Sequence, residues 1–236
     1  SLQRLIVDLP EGFSDFEGSA AALGKVFGIK TFKFVFEGSK ELEILADEMW
    51  EKMGTVDAET FRVKVKRSMK LPYNSMEAER KLGGLLLAKG LEMKVKLKDP
   101  DFVFDVEFLN ERSYFSFYVY QGLAGLPCNS GSKLVALLSS GIDSPVAAYR
   151  MMRRGARIIF LHFSSYPYSD GVEREHVEEL VKILAQYQFD TKLYVVSFGE
   201  FQKYVSLMDG VDSRYNTLLY RRMMYRVAEE ITNKEQ

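Results

Sequence analysis

Beyond residue 132 the chain alternates short, almost continuously apolar runs with amphipathic stretches of helical period, and few architectures accommodate that alternation. Lys133–Leu138, Arg157–Phe163 and Lys192–Ser197 read as strands. Pro145–Arg154, Val172–Tyr187 and Tyr215–Ile231 read as helices; in the second, Val177, Leu180, Val181 and Leu184 recur at i, i+3, i+4 and i+7. Strands apolar on both faces and separated by helices predict an α/β domain with a parallel sheet covered on both sides. Such sheets usually hold more than three strands, which leads to the expectation of a truncated domain.

The turn from the first of these strands into its helix is Ser139-Ser140-Gly141-Ile142-Asp143-Ser144-Pro145. Small residues let the backbone bend tightly and aim several N–H groups at an anion, and a helix N-terminus adds positive partial charge. Pro145 suits a first helical turn. Ligands of open parallel sheets bind beyond the carboxyl ends of the strands, where this loop falls. A phosphate site is the physical reading; a plain serine-capped turn, with Asp143 as the capping acceptor, is the alternative. The loop is neither a Walker P-loop nor a dinucleotide G-x-G-x-x-G.

Two further zones precede this one. In the first, Leu5–Val7 and Thr31–Phe36 are predicted strands, with helices at Ser14–Phe27 and Leu42–Met53. The second predicts strands at Thr60–Ser68, Met93–Leu97, Phe102–Phe108 and Tyr114–Tyr120, and a helix from Asn74, where Asn74 and Glu77 have capping-box spacing. A Gly/Pro/Ser-rich stretch, 122–132, reads as a linker. The expected domains are therefore 1–57, 58–121 and 133–236.

The formal net charge of -1 conceals a strong local imbalance. Between Thr60 and Asp99 eleven Lys/Arg face four Asp/Glu, a surplus of +7. A period of two places Arg62, Lys64 and Lys66 on the strand face opposite Phe61, Val63 and Val65. With Arg67, Lys70 and Arg80 they form the electrostatic candidate for RNA binding, and Tyr73 beside them is a candidate stacking residue. A solvated charged face is the competing reading. The single cysteine, Cys128, excludes an intramolecular disulfide, and one cysteine with two histidines (His162, His176) excludes an ordinary zinc or iron–sulfur centre. No apolar run approaches a membrane span, so a soluble cytoplasmic chain is expected.

The run Ser139–Ser144 resembles the pyrophosphate loop of the PP-loop ATP pyrophosphatases. The longer run Ser139–Gly155, with Gly125-Leu126-Pro127, Leu161-His162-Phe163 and Leu219-Tyr220-Arg221-Arg222-Met223-Met224, resembles the ThiI-type tRNA sulfurtransferases. Lys66-Arg67-Ser68 and Tyr73-Asn74-Ser75-Met76-Glu77 resemble their RNA-binding THUMP domain. The resemblance implies a partial ferredoxin-like element at 1–57, a THUMP domain at 58–121 and an incomplete PP-loop (adenine nucleotide α-hydrolase-like) domain at 133–236.

It further implies adenylation of uridine 8 of tRNA with ATP and Mg²⁺, then sulfur transfer to give 4-thiouridine, with a corollary role in the thiamine thiazole. Implied partners are tRNA and a persulfide donor such as a cysteine desulfurase, and the family allows a homodimer. The implied ATP residues are Leu137, Leu138, Ser139, Ser140, Gly141, Asp143, Ser144, His162, Phe163 and Arg221, of which Asp143 and Ser144 are the catalytic candidates; no protein-held metal is implied. Ser140 departs from the family's loop glycine, and serine is strained there if the position needs positive φ. Cys128 is read as incidental and not as a persulfide carrier. Two other readings are an RNA-binding module with a vestigial nucleotide site and a PP-loop synthetase that adenylates a small substrate.

Overall fold

The computed structural model describes residues 5–109, 112–169, 171–210 and 212–235. In chain order the elements are α1 (Phe16–Gly24), β1 (Thr31–Phe32), β2 (Phe36–Gly38), α2 (Leu42–Met53), β3 (Thr60–Arg67), α3 (Ser75–Ala88), β4 (Lys94–Val95), β5 (Phe102–Leu109), β6 (Arg112–Ser116) and β7 (Tyr120–Gln121). They continue with β8 (Lys133–Leu137), α4 (Asp143–Arg153), β9 (Arg157–Ser164), α5 (Val172–Ala185), β10 (Lys192–Ser197), α6 (Gly199–Ser206) and α7 (Asn216–Lys234). The contacts divide the chain into two units, one of residues 1–16 with 31–120 and the other of 17–30 with 121–236.

The first unit is a five-stranded sheet in the order β2-β6-β5-β3-β4. β3 runs parallel to both β4 and β5, while β6 is antiparallel to β5 and β2. Phe61, Val63 and Val65 of β3 join Phe104, Val106 and Phe108 of β5 in one core with Leu45, Ala46 and Met49 of α2 and Ala78, Leu82 and Leu86 of α3. Both helices therefore lie on one sheet face, and the alternate residues of β3 and β5 belong to the other. The capping box forms as predicted: Asn74 Oδ1 accepts the Glu77 N–H at 2.9 Å, and Glu77 Oε2 accepts the Asn74 N–H at 2.7 Å.

The second unit centres on β9 in a parallel sheet of order β10-β9-β8. Ile158 and Phe160 pack with Ala148 and Met152 of α4 and Val177 and Leu184 of α5. Ile159 and Leu161 pack instead with Val227, Ala228 and Ile231 of α7. That two-sided burial is the reason this strand is apolar throughout, and each such side chain contributes about 2 kcal/mol.

Several expectations change. Leu5–Val7 is exposed and forms no strand, because among the described residues no strand pairs with its backbone groups. Thr31–Phe36 breaks into β1 and β2, and Tyr114–Tyr120 into two strands of which the second, β7, pairs with β1. Residues 17–30 pack with the second unit: Phe27 is buried against Tyr149 and Tyr187, and the Gly28 N–H donates to Ala124 O at 2.9 Å. The stretch 122–132, though mostly exposed, is tied to the same unit through its backbone. A Cβ on Gly122 would lie 2.2 Å from Ile29 O, and the Leu126 and Gly131 N–H groups donate to Arg153 O and Gly155 O.

Candidate functional sites

The loop at the end of β8 is held by its own serines. The Ser139 N–H donates to Ser144 Oγ at 3.0 Å, the two hydroxyls lie 3.1 Å apart, and the Gly141 N–H points at Ser139 Oγ at 3.4 Å. Helix α4 begins at Asp143, with Ile142 in the capping position and no side-chain cap on its N–H groups. Asp143 is thus the first helical residue and not the capping acceptor; its carboxylate is exposed beside the turn. A helix N-terminus without a side-chain cap is a ready anion site. Ser140 is not among the residues with positive φ, so serine is unstrained where the resemblance expects glycine.

A groove of about 450 Å³ adjoins this loop, lined by Leu134, Ala136 and Leu137 of β8 and by Asp143, Ser144, Ala147, Ala148 and Met151 of α4. Its walls are apolar apart from Asp143 and Ser144, a lining that suits a flat base more than a charged group. Uncapped N–H groups at one place and apolar surface beside them are the kinds of surface an adenine nucleotide requires.

The other candidate nucleotide residues divide. Leu137 lines the groove and Phe163 is half-buried, its ring 5.0 Å from that of Phe198. Leu138 and His162 turn inward, at 3% and 1% exposure. The His162 ring lies with Nδ1 3.0 Å from Leu138 O, so it ties the end of β8 to β9 directly below the loop. Arg221 is exposed on α7, and among the described residues no hydrogen bond or ion pair links it to the loop.

The basic strand of the first unit is less free than its sequence implies. The parallel register sets Lys64 beside Asp105 and Lys66 beside Glu107. Lys66 Nζ lies 3.4 Å from Glu107 Oε1, and Lys33 Nζ lies 3.0 Å from both Glu107 Oε1 and Asp105 Oδ2. Arg62 donates to Leu97 O at 3.0 Å and approaches Glu79 at 3.9 Å; Arg67 donates to Tyr73 O at 2.7 Å. Lys64, Lys70 and Arg80 are exposed and have no ion-pair partner among the described residues. Arg80 projects from α3, on the helical side of the sheet, so the six cations do not share one face.

Tyr73 is not free to stack. Its hydroxyl donates to Lys40 O at 2.9 Å, its ring packs edge-on against Phe108, and burial raises the hydroxyl's pKa. The counter-ions Asp105 and Glu107 were the signal available in the sequence: they repeat on β5 with the same period of two as the lysines on β3. Cys128 is half-buried, donates to Tyr187 O at 2.9 Å, and has its thiol pKa pushed up by burial.

The family described as "Thiamine biosynthesis protein (ThiI)" matches residues 129–236, and that described as "THUMP domain" matches residues 41–117. A protein of Caldanaerobacter subterraneus named "Probable tRNA sulfurtransferase" is 37% identical over 93% of this chain and 57% of its own length. One of the same name from Staphylococcus aureus is 36% identical over 98% of this chain and 56% of its own. A solved 4-thiouridine synthetase, in complex with RNA and with bound ATP, superposes with a TM-score of 0.82 at 31% identity, covering 96% of this chain and 59% of that one. The chain thus spans somewhat under two thirds of the length of these relatives.

Proposed function

We propose that this chain, which the family model described as "Thiamine biosynthesis protein (ThiI)" matches over residues 129–236 and the THUMP model over residues 41–117, binds ATP and tRNA as part of a tRNA sulfurtransferase. The observation that carries this reading is the Ser139–Ser144 loop: hydroxyls paired at 3.1 Å and a helix start without a side-chain cap, at the carboxyl end of a parallel strand and beside an apolar groove.

The uracil O4 is a poor leaving group, and adenylation replaces it with a good one. The O4 oxygen attacks the α-phosphorus of ATP, the bond to the β-phosphate oxygen breaks, and pyrophosphate departs. The terminal sulfur of a persulfide donor, such as a cysteine desulfurase supplies, then attacks C4 and AMP leaves with the former O4. A second thiol attacks the donor's inner sulfur, so that the S–S bond breaks, a donor–thiol disulfide forms and the thiouridine is released. The work of this chain is positioning and charge stabilisation. The Ser139 and Ser144 hydroxyls and the N–H groups opening α4 hold the departing pyrophosphate, and the groove along Leu137 and Met151 takes the adenine. Asp143, exposed at the loop, suits a water-mediated hold on Mg²⁺. Exposed Lys64 and Lys70 meet the RNA backbone, giving salt-dependent and largely sequence-independent affinity.

The target is uridine 8, the product 4-thiouridine, and sulfur transfer to the thiamine thiazole is a corollary of the family. Among the described residues no helix is long and apolar enough to cross a membrane. The family allows a homodimer. ATP labelled at its α-phosphate tests the reading. With unmodified tRNA and no sulfur donor, label appears on the RNA; label transferred only to a small acid or amide would replace this reading with that of a small-substrate synthetase.

A further inference from the structure

The strongest charge asymmetry outside the sites described lies on α7. From Asn216, where α7 begins, to Ala228 there are three arginines and no acidic residue. Val227, Ala228 and Ile231 face the sheet. Helical geometry then sets Leu218, Arg222 and Tyr225 along the opposite, outward stripe, flanked by Arg221 on one side and Arg226 on the other. Exposure agrees: Leu218 is 64% and Tyr225 65% accessible, and Arg221, Arg222 and Arg226 are all exposed. None of these three arginines has an ion-pair partner among the described residues, and the first acid on the stripe is Glu229.

This stripe sits at the loop end of the sheet. The Tyr220 hydroxyl donates to Gln202 O at 3.2 Å, and its ring lies 6.3 Å from Phe198, which follows β10. At the other end of α7, Glu235 is bound by Lys192 and Tyr194 at the start of β10, and its carbonyl by Lys133 at the start of β8. α7 therefore runs back along the strands, and its arginine-rich half lies toward their carboxyl ends, where the Ser139–Ser144 loop also stands.

We propose that the outward stripe of α7 is a second RNA-binding face, in which Arg222 and Arg226 neutralise backbone phosphates and Tyr225 stacks against a base or ribose. A polyanion is the occupant that this charge favours, because uncompensated guanidinium groups lose little hydration on meeting phosphate and gain bidentate bonds. The face holds the substrate on the unit that carries the nucleotide loop, independently of the THUMP domain. This rests on the reading that the chain acts on tRNA.

The test is a salt titration of binding to an unmodified tRNA transcript. Arg222→Ala with Arg226→Ala makes the slope of log affinity against log salt shallower by about two and weakens binding several-fold. Arg222→Lys with Arg226→Lys retains the slope, and thermal unfolding establishes that both variants are folded. An unchanged slope in the alanine variant overturns the proposal, even if the face proves to bind an acidic protein. Failure of the unaltered chain to bind tRNA brings down the functional reading itself, a different result from a binding chain with an indifferent α7.

Discussion

Lys66 and Glu107, residues on neighbouring parallel strands, are paired at 3.4 Å, and Glu107 is shared with Lys33 at 3.0 Å. Lys64, one pleat repeat away, is exposed with no such partner among the described residues. Two lysines that look equivalent in sequence therefore differ in what they can offer an RNA. Lys64→Ala is expected to reduce the salt slope of tRNA binding by about one, and Lys66→Ala by much less. Glu107→Gln, by releasing positive charge, raises tRNA affinity. Equal losses from both lysine variants would contradict this account.

The loop serines make a sharper forecast. Ser144 Oγ accepts the Ser139 N–H at 3.0 Å and lies 3.1 Å from Ser139 Oγ, so Ser144→Ala removes a loop tie and a phosphate ligand together. ATP affinity should fall by about tenfold, roughly the worth of one hydrogen bond to a charged group. Ser140→Gly should leave it within about twofold, since φ there is not positive and glycine relieves no strain. Calorimetric titration with ATP separates the two; a large gain from Ser140→Gly would show that serine does burden the loop.

His162 is a positioning residue in this account. Its buried ring ties Leu138 O to β9, and Nε2 lies buried without a partner among the described residues. His162→Ala leaves a cavity and frees that carbonyl, a loss of about 2–4 kcal/mol in unfolding free energy. ATP affinity should fall with it, because the loop begins at the next residue. A variant with unchanged denaturant midpoint would place the ring outside the load of the fold.

Cys128 should be a slow nucleophile. Burial raises its pKa, which lowers the thiolate fraction at neutral pH, and its Sγ donates to Tyr187 O at 2.9 Å. Alkylation by iodoacetamide is expected to run slower than that of free cysteine at pH 7, and to climb with pH beyond the range where free cysteine levels off. Rapid alkylation at neutral pH would reopen Cys128 as a sulfur carrier.

Local signals in the sequence were sufficient for the elements they govern. The Asn74–Glu77 box, the apolar stripe of α2 and the two-sided burial of β9 follow from spacing alone, and each appears where its pattern lies. What was not legible depends on partners far along the chain. Lys66 meets Glu107 41 residues later, and Phe27 leaves its own zone to pack beside Tyr149 and Tyr187. Helix α6 went unseen because Gly199–Ser206 is short and opens on a glycine. That glycine is needed, since a Cβ there would lie 2.5 Å from Ser165 O. For the loop, the sequence places the turn but not its geometry: the positions of the serine hydroxyls and the φ of Ser140 are set by how β8 and α4 pack in the folded unit.

Pyrophosphate release from ATP and Mg²⁺, measured with and without unmodified tRNA, bears most directly on the claim that the loop serves RNA chemistry. The account predicts release that rises with tRNA concentration and is suppressed by Ser144→Ala. Release indifferent to tRNA, or none at all while tRNA and ATP both bind, would contradict it.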